Sequence, residues 1–228
     1  GGGRALLQDV GFELRRGEVL GIFGLMGAGR TELLELIIGR RAGRQRIDME
    51  LEGRAVALDS PAAARRAGIV LAPEDRKRDG LVLDMNAREN AGLACQSAVS
   101  RFGWLLRRAR ERSLLDPIFR RFGVADESRD RAVVTLSGGN QQKVILAKWL
   151  SAGPRVLLLD EPTRGIDVHA RQEIYQLIHQ LAAEGLGVVV VSSELDEILA
   201  LADRVMVLRE GRVSAELDRD AATAELLM

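Results

Sequence analysis

Three short segments of this chain carry residue types that can handle phosphate. The first is Gly24-Leu25-Met26-Gly27-Ala28-Gly29-Arg30-Thr31. Its frame is G-x-x-x-x-G-K-[ST], with arginine where lysine is expected. Glycines at this spacing let backbone N–H groups turn inward and approach phosphate oxygens closely. A helix starting near Arg30 aims its positive dipole end at the same anion. Thr31 offers a hydroxyl to Mg²⁺. Arg30 keeps the positive charge but carries it on a longer, planar fork. The loop therefore supports phosphate binding better than catalysis.

The second segment, Val156-Leu157-Leu158-Leu159-Asp160-Glu161, is an apolar strand ending in two acids. Asp160 is the candidate for holding Mg²⁺, directly or through water. Glu161 is the candidate for orienting or deprotonating an attacking water. The third segment is Leu136-Ser137-Gly138-Gly139-Asn140-Gln141-Gln142, ahead of a helical run, Val144–Leu150. Ser137 can cap that helix, and the two glycines leave its first N–H groups open. Simple capping accounts for this pattern. A second phosphate site accounts for it only if it serves another molecule's nucleotide.

The elements that must position these segments are legible as apolar runs. Val19–Phe23 reads as a strand leading into the glycine loop, and Thr31–Ile38 as the helix after it, stopped by Gly39. Ile69–Ala72, halted by Pro73, reads as a second strand. Val156–Leu159, Val188–Val191 and Val205–Leu208 read as three more. Asp167 is placed to cap a helix from about Val168 to Glu184, with Ile174, Leu177, Ile178 and Leu181 as its buried stripe. Continuous apolar strands alternating with helices predict an α/β fold, a mostly parallel sheet covered on both faces. Between Asn86 and Leu150 the spacing turns helical and strand signals vanish, which predicts an inserted helical subdomain. The basic stretch Arg107–Arg112 within it reads as a solvated helix face.

Composition bounds the rest. The chain has 228 residues, no net charge and 46% hydrophobic residues. That suits one large domain, and the neutral balance makes no case for nucleic acid. A lone cysteine, Cys95, precludes an intramolecular disulfide. No run approaches the roughly 20 apolar residues of a membrane-spanning helix. The opening Gly1-Gly2-Gly3, without methionine, reads as the start of an excised domain. Lys77, Lys143 and Lys148 are the only lysines, so Arg30 also fits a general arginine bias.

The glycine loop, LSGGNQQ and LLLDEPT, in this order, resemble an ATP-binding cassette ATPase. The resemblance implies a P-loop NTPase core over 1–85 and 151–228, with the helical subdomain at about 86–150, as one cassette domain over 1–228. It implies ATP and Mg²⁺ as ligands. Two cassettes of this family pair head to tail, so each ATP lies between one glycine loop and the other's signature. Ser137, Gly138, Gly139 and Asn140 match that signature and face the partner's nucleotide. Gly24 through Thr31 match the loop for this chain's own nucleotide. Thr31 and Asp160 match the Mg²⁺ contacts, Glu161 the catalytic glutamate, and Asp167 the D-loop acid.

Three positions depart from the hydrolytic pattern of the family. Arg30 replaces the loop lysine, Glu74 stands at the Q-loop glutamine, and Ser193 stands at the switch histidine. Serine lacks a protonatable ring, and Glu74 adds negative charge beside phosphate unless Mg²⁺ or Arg30 offsets it. His169 and His179 read as surface residues. The phrases GLMGAGRTELLELIIG, EDRKRDGLV, DEPTRGIDV and VSSELDEI are similar to the second cassette of ribose-, galactose- and xylose-type importer ATPases. That implies one impaired site, on this chain's loop, and one competent site that borrows its signature.

The same resemblance implies several partners: a first cassette on the same polypeptide or a second copy, a transmembrane permease, and indirectly an extracytoplasmic sugar-binding protein. It places the chain peripherally on the cytoplasmic face of the inner membrane. Glu74–Val82 is the candidate for a permease-facing groove. The rival readings are a soluble cassette ATPase acting on DNA or ribosomes, and a nucleotide-binding scaffold without turnover. The interval between loop and signature carries no sustained heptads, which disfavours a coiled-coil DNA-repair member.

Overall fold

The computed structural model describes residues 7–41, 47–101 and 105–222; the opening glycines lie outside them. The chain divides into two compact units. One comprises the described residues of Gly1–Leu71, Arg155–Glu161 and His179–Met228, and the other those of Ala72–Pro154 and Pro162–Ile178.

The first unit is built on a six-stranded sheet. Its spatial order is Arg212–Asp218, Arg204–Arg209, Val19–Phe23, Gly187–Ser192, Val156–Asp160, Ile69–Ala72. The Val19–Phe23 strand runs parallel to both its neighbours, and Val156–Asp160 runs parallel to Gly187–Ser192. The end strand Arg212–Asp218 pairs antiparallel with Arg204–Arg209. The central strands are apolar throughout because both faces are covered: Val19–Phe23 and Gly187–Ser192 are buried at every position. Leu20, Ile22, Leu34, Leu158, Val189 and Met206 join one apolar core. Full burial of each such side chain contributes about 1.5–3 kcal/mol.

Sequence expectation and structure agree closely on these elements. The helix after the glycine loop spans Arg30–Ile37, and Gly39 follows with φ of 72°. The antiparallel edge strand was not anticipated. It follows a tight turn at Glu210 and Gly211, both at positive φ, and alternates exposed with half-buried residues. A small hairpin, Glu50–Leu51 with Arg54–Ala55, was not anticipated either.

The second unit packs the helices Ala87–Gly92, Arg108–Arg121 and Gly138–Leu150 against one another. Leu115, Phe119, Val133, Val144 and Ile145 are fully buried there. The predicted helical segment 86–150 falls within this unit, which also takes in 72–85 and 162–178. It contains one short hairpin, Ser100–Arg101 with Leu105–Leu106, where no strand was expected. Its N-terminal loop is pinned by Asn90, whose Oδ1 accepts from Val82 N at 2.8 Å. Asn90 Nδ2 donates to the carbonyls of Val82, Met85 and Asn86. Asn86 starts the first helix with a reciprocal cap to Glu89.

The helix Val168–Ala183 begins in the second unit and ends in the first. The predicted stripe is buried: Ile174 and Ile178 at 0%, Leu181 at 2% and Leu177 at 6% exposed. His169 and His179 are exposed, as the sequence suggested.

Candidate functional site

In the first unit the glycine loop follows directly from the buried Val19–Phe23 strand. Glycine is required at position 24 by space: a Cβ there would stand 2.5 Å from Leu208 O. It is required at Gly27 and Gly29 by conformation, with φ of 82° and 100°. Gly29 caps the following helix in the left-handed region with no side-chain acceptor. The first N–H groups of that helix therefore stay open to an anion. The loop tip, Leu25 and Met26, is 75% and 88% exposed. Ala28 is buried beneath it and tied to Leu25 O and Gly211 N.

Thr31 and Asp160 meet at the end of the neighbouring strand. The Thr31 hydroxyl hydrogen-bonds the Asp160 carboxylate, and Asp160 is 3% exposed. Burial pushes the Asp160 carboxyl up to about 6, with Thr31 and Arg30 opposing and the charges of Glu161 and Glu35 reinforcing. Two hard oxygen donors, one of them a desolvated acid in need of a cation, fit a Mg²⁺ that takes its remaining ligands from phosphate and water. Among the described residues there is no cluster of three acids, histidines or cysteines that could hold a metal by itself.

Glu161 is buried beside Asp160 and sits at φ of 47°. Its Oε1 accepts from Ser193 N at 2.9 Å, and its Oε2 accepts from Ser192 Oγ at 3.4 Å. Arg30 Nη1 lies 3.0 Å from Oε1. This is charge contact rather than an aligned hydrogen bond, since Arg30 Nη1 is buried without a hydrogen-bond acceptor. Ser193 thus contributes its backbone amide, while its side chain is exposed. The loop, Asp160, Glu161 and Ser193 form one constellation within this unit.

The second unit assembles the signature. Ser137 caps the helix Gly138–Leu150 by accepting from Asn140 N at 3.4 Å. A Cβ on Gly139 would stand 2.5 Å from the Ala170 Cβ, and one on Gly138 would stand 3.1 Å from Arg76 Nη2. Gln141 is buried, and its Nε2 donates to Val133 O and Leu136 O, which fixes the strand of chain leading into Ser137. Asp167 accepts from Ala170 N at 3.0 Å, the cap expected of it, and that bond holds its carboxyl below the usual range.

Glu74 forms an ion pair with Arg164. Its charge is offset by Arg164, in the segment after Glu161, a residue that sequence reasoning did not single out. Arg76, also not singled out as a contact, donates to Gly165 O at 3.4 Å. Gln141 lay within the quoted signature, but its anchoring role carries no local pattern beyond an amide following Gly-Gly-Asn.

Residues 7–164 match the model of the ABC transporter family, described as "ABC transporter". The chain belongs to the ABC transporter family, in the class of its ATP-binding cassette ATPases. It is 51% identical over 226 residues to the ribose import ATP-binding protein RbsA of Rhodopirellula baltica, covering 99% of this chain and 44% of that protein. It is 48% identical over 221 residues to the arabinose import ATP-binding protein AraG of Rhizobium meliloti, covering 95% and 42%. The chain thus spans less than half the length of these curated relatives. Its fold is similar to the dimeric post-hydrolysis state of the cassette MJ0796 bound to ADP and Pi, with TM-score 0.79, 23% identity, and 94% and 90% of the two chains covered. It is also similar to an ATP-binding subunit of an ABC transporter, with TM-score 0.74, 26% identity, and 94% and 84% covered.

Proposed function

We propose that this chain is the ATP-binding and ATP-hydrolysing domain of a monosaccharide importer, and the half whose own nucleotide site is impaired. Likeness to ribose and arabinose import ATP-binding proteins along nearly the whole chain supports the sugar class. The observation that carries the impaired half is that Ser193, at the switch position, offers Glu161 only its backbone amide, while the signature residue Ser137 keeps its helix cap.

In this reading the open N–H groups of the loop and the dipole of the Arg30–Ile37 helix bind the phosphates of ATP. Thr31 and Asp160 hold Mg²⁺, which neutralises phosphate charge when bound. Water attacks the γ-phosphorus, the bond to the bridging oxygen breaks, and ADP leaves. Glu161 is the acceptor for the water's proton. Ser137, Gly138, Gly139 and Asn140 serve the nucleotide held on the facing cassette, with Asp167 as the acid nearest that contact. Glu74 and Ser193 occupy the Q-loop and switch positions without supplying their usual groups.

The partners are a first cassette on the same polypeptide or a second copy, a transmembrane permease, and an extracytoplasmic sugar-binding protein reached through it. ATP binding closes the cassettes and hydrolysis reopens them, and the motion passes to the permease through Glu74–Val82. The working place is the cytoplasmic face of the inner membrane, peripheral to it. Among the described residues no helix is long and apolar enough to cross a membrane.

Equilibrium binding of Mg-ATP and Mg-GTP to the purified chain tests this directly. Micromolar ATP binding that is weakened at least tenfold by Thr31→Ala or by removal of Mg²⁺ is expected. Absence of binding overturns the reading.

A further inference from the structure

We propose that Arg30 is a latch on Glu161, released by the phosphate that the glycine loop binds. The inference rests on the reading of that loop as a nucleotide site, and adds what the arginine does there.

Glu161 is held from three directions. Arg30 Nη1 stands 3.0 Å from Oε1, Ser193 N donates to Oε1 at 2.9 Å, and Ser192 Oγ donates to Oε2 at 3.4 Å. The backbone fixes it as well, since Glu161 N donates to Val191 O at 2.9 Å and the residue sits at φ of 47°. A carboxylate offers about four lone-pair sites, so Oε2, with one donor, can still accept from water, whereas Oε1 is covered by both Ser193 N and Arg30. Departure of Arg30 uncovers Oε1 as a second accepting atom. The two serine donors belong to the end of a buried strand, Gly187–Ser192, and the residue after it. They are fixed by the sheet. The guanidinium is the donor that can leave.

Arg30 is built to be contested. Its side chain is 10% exposed, so its charge is largely desolvated and requires an anion. It is the first residue of the helix whose open N–H groups face the phosphate position. Its Nη1 meets Glu161 without an aligned hydrogen bond, and that is a weaker hold than the bidentate geometry guanidinium prefers. A phosphate oxygen entering the loop offers the same cation a stronger acceptor. Phosphate and Glu161 therefore compete for one guanidinium, and nucleotide binding frees the carboxylate. The loop arginine, in this reading, couples occupancy of the site to the availability of its base, and Arg30 is a positioning residue for Glu161.

Mg-ADP binding measured by calorimetry on the purified chain tests the latch, because ADP excludes hydrolysis. Glu161→Gln removes the competing charge and is expected to tighten Mg-ADP binding about fivefold. In an Arg30→Met background the same substitution is expected to change affinity by less than about 1.5-fold. Arg30→Gln provides a second background, and circular dichroism shows that each variant is folded. Equal tightening in both backgrounds would mean that Glu161 repels phosphate directly, and would overturn the latch while leaving the nucleotide site intact. No tightening by Glu161→Gln in the parent chain also overturns it. Failure of the folded parent and every folded variant to bind Mg-ADP removes the nucleotide-site reading itself, and the latch with it.

Discussion

The second signature glycine, Gly139, leaves no room for a methyl group: its Cβ would stand 2.5 Å from the Cβ of Ala170. The glycine is thus required by packing of the 166–170 segment against the helix start, independently of any phosphate. Gly139→Ala is expected to lower stability by about 1–3 kcal/mol, the usual cost of overpacking. Adding Ala170→Gly should recover part of that loss, although glycine near the start of the Val168–Ala183 helix costs up to about 1 kcal/mol of its own. Urea unfolding of the single and double variants checks both statements.

Asp160 gives a pH-dependent prediction with a defined sign. Its folded-state pKa is raised from 3.8 to about 6, chiefly by burial. The folded chain therefore binds more protons than the unfolded chain between these values, and stability falls as pH rises through that window. Above about 6 the penalty is fully present. Asp160→Asn is expected to raise stability without metal at pH 7.5, by on the order of 2 kcal/mol, and to do little near pH 4. Thermal melts at the two pH values measure it. Saturating Mg-ATP should stabilise the parent at pH 7.5 and not the variant.

The strands of the site were legible because burial on both faces leaves an apolar, β-branched run, as in Gly187–Ser192. The edge strand Arg212–Asp218 was not, because it is half exposed and alternates polar with apolar residues, so it lacks the continuous apolar run that marks the buried strands. The glycine loop and the signature were legible because each needs glycine for backbone reasons that residue type reveals. The hold on Glu161 was not. Ser193 acts through its amide, which nearly any residue supplies, and Arg30 looks from sequence like a substitute for lysine rather than a partner for a carboxylate. The Glu74–Arg164 pair joins segments far apart in the chain, and no local pattern announces it.

Asn90 is fully buried and satisfies four backbone groups of the Val82–Asn86 turn. Removing it leaves Val82 N without this acceptor and opens a void at a fully buried position, while the carbonyls of Val82, Met85 and Asn86 keep their backbone donors. Asn90→Ala is expected to destabilise the chain by about 1–3 kcal/mol. Chemical denaturation is the measurement, and hydrogen exchange should show the loss concentrated at Val82–Asn86.

Glu74 and Arg164 form a partly exposed pair, with side chains 36% and 62% exposed. Solvent and salt screen such a pair, so Glu74→Gln is expected to alter stability by less than about 1 kcal/mol. Urea titrations in low and high salt check this. A large loss would mean that the pair holds the Pro73–Asp75 segment in place.

The central claim is that this chain lends its signature to the facing cassette while its own loop is handicapped. The direct measurement is ATP hydrolysis by a two-cassette protein carrying this chain as one half, with and without Ser137→Arg. That substitution puts a bulky cation at the cap of the Gly138–Leu150 helix, away from this chain's own glycine loop in sequence. The account predicts loss of hydrolysis by at least about tenfold with folding retained. Hydrolysis unchanged by Ser137→Arg would contradict it.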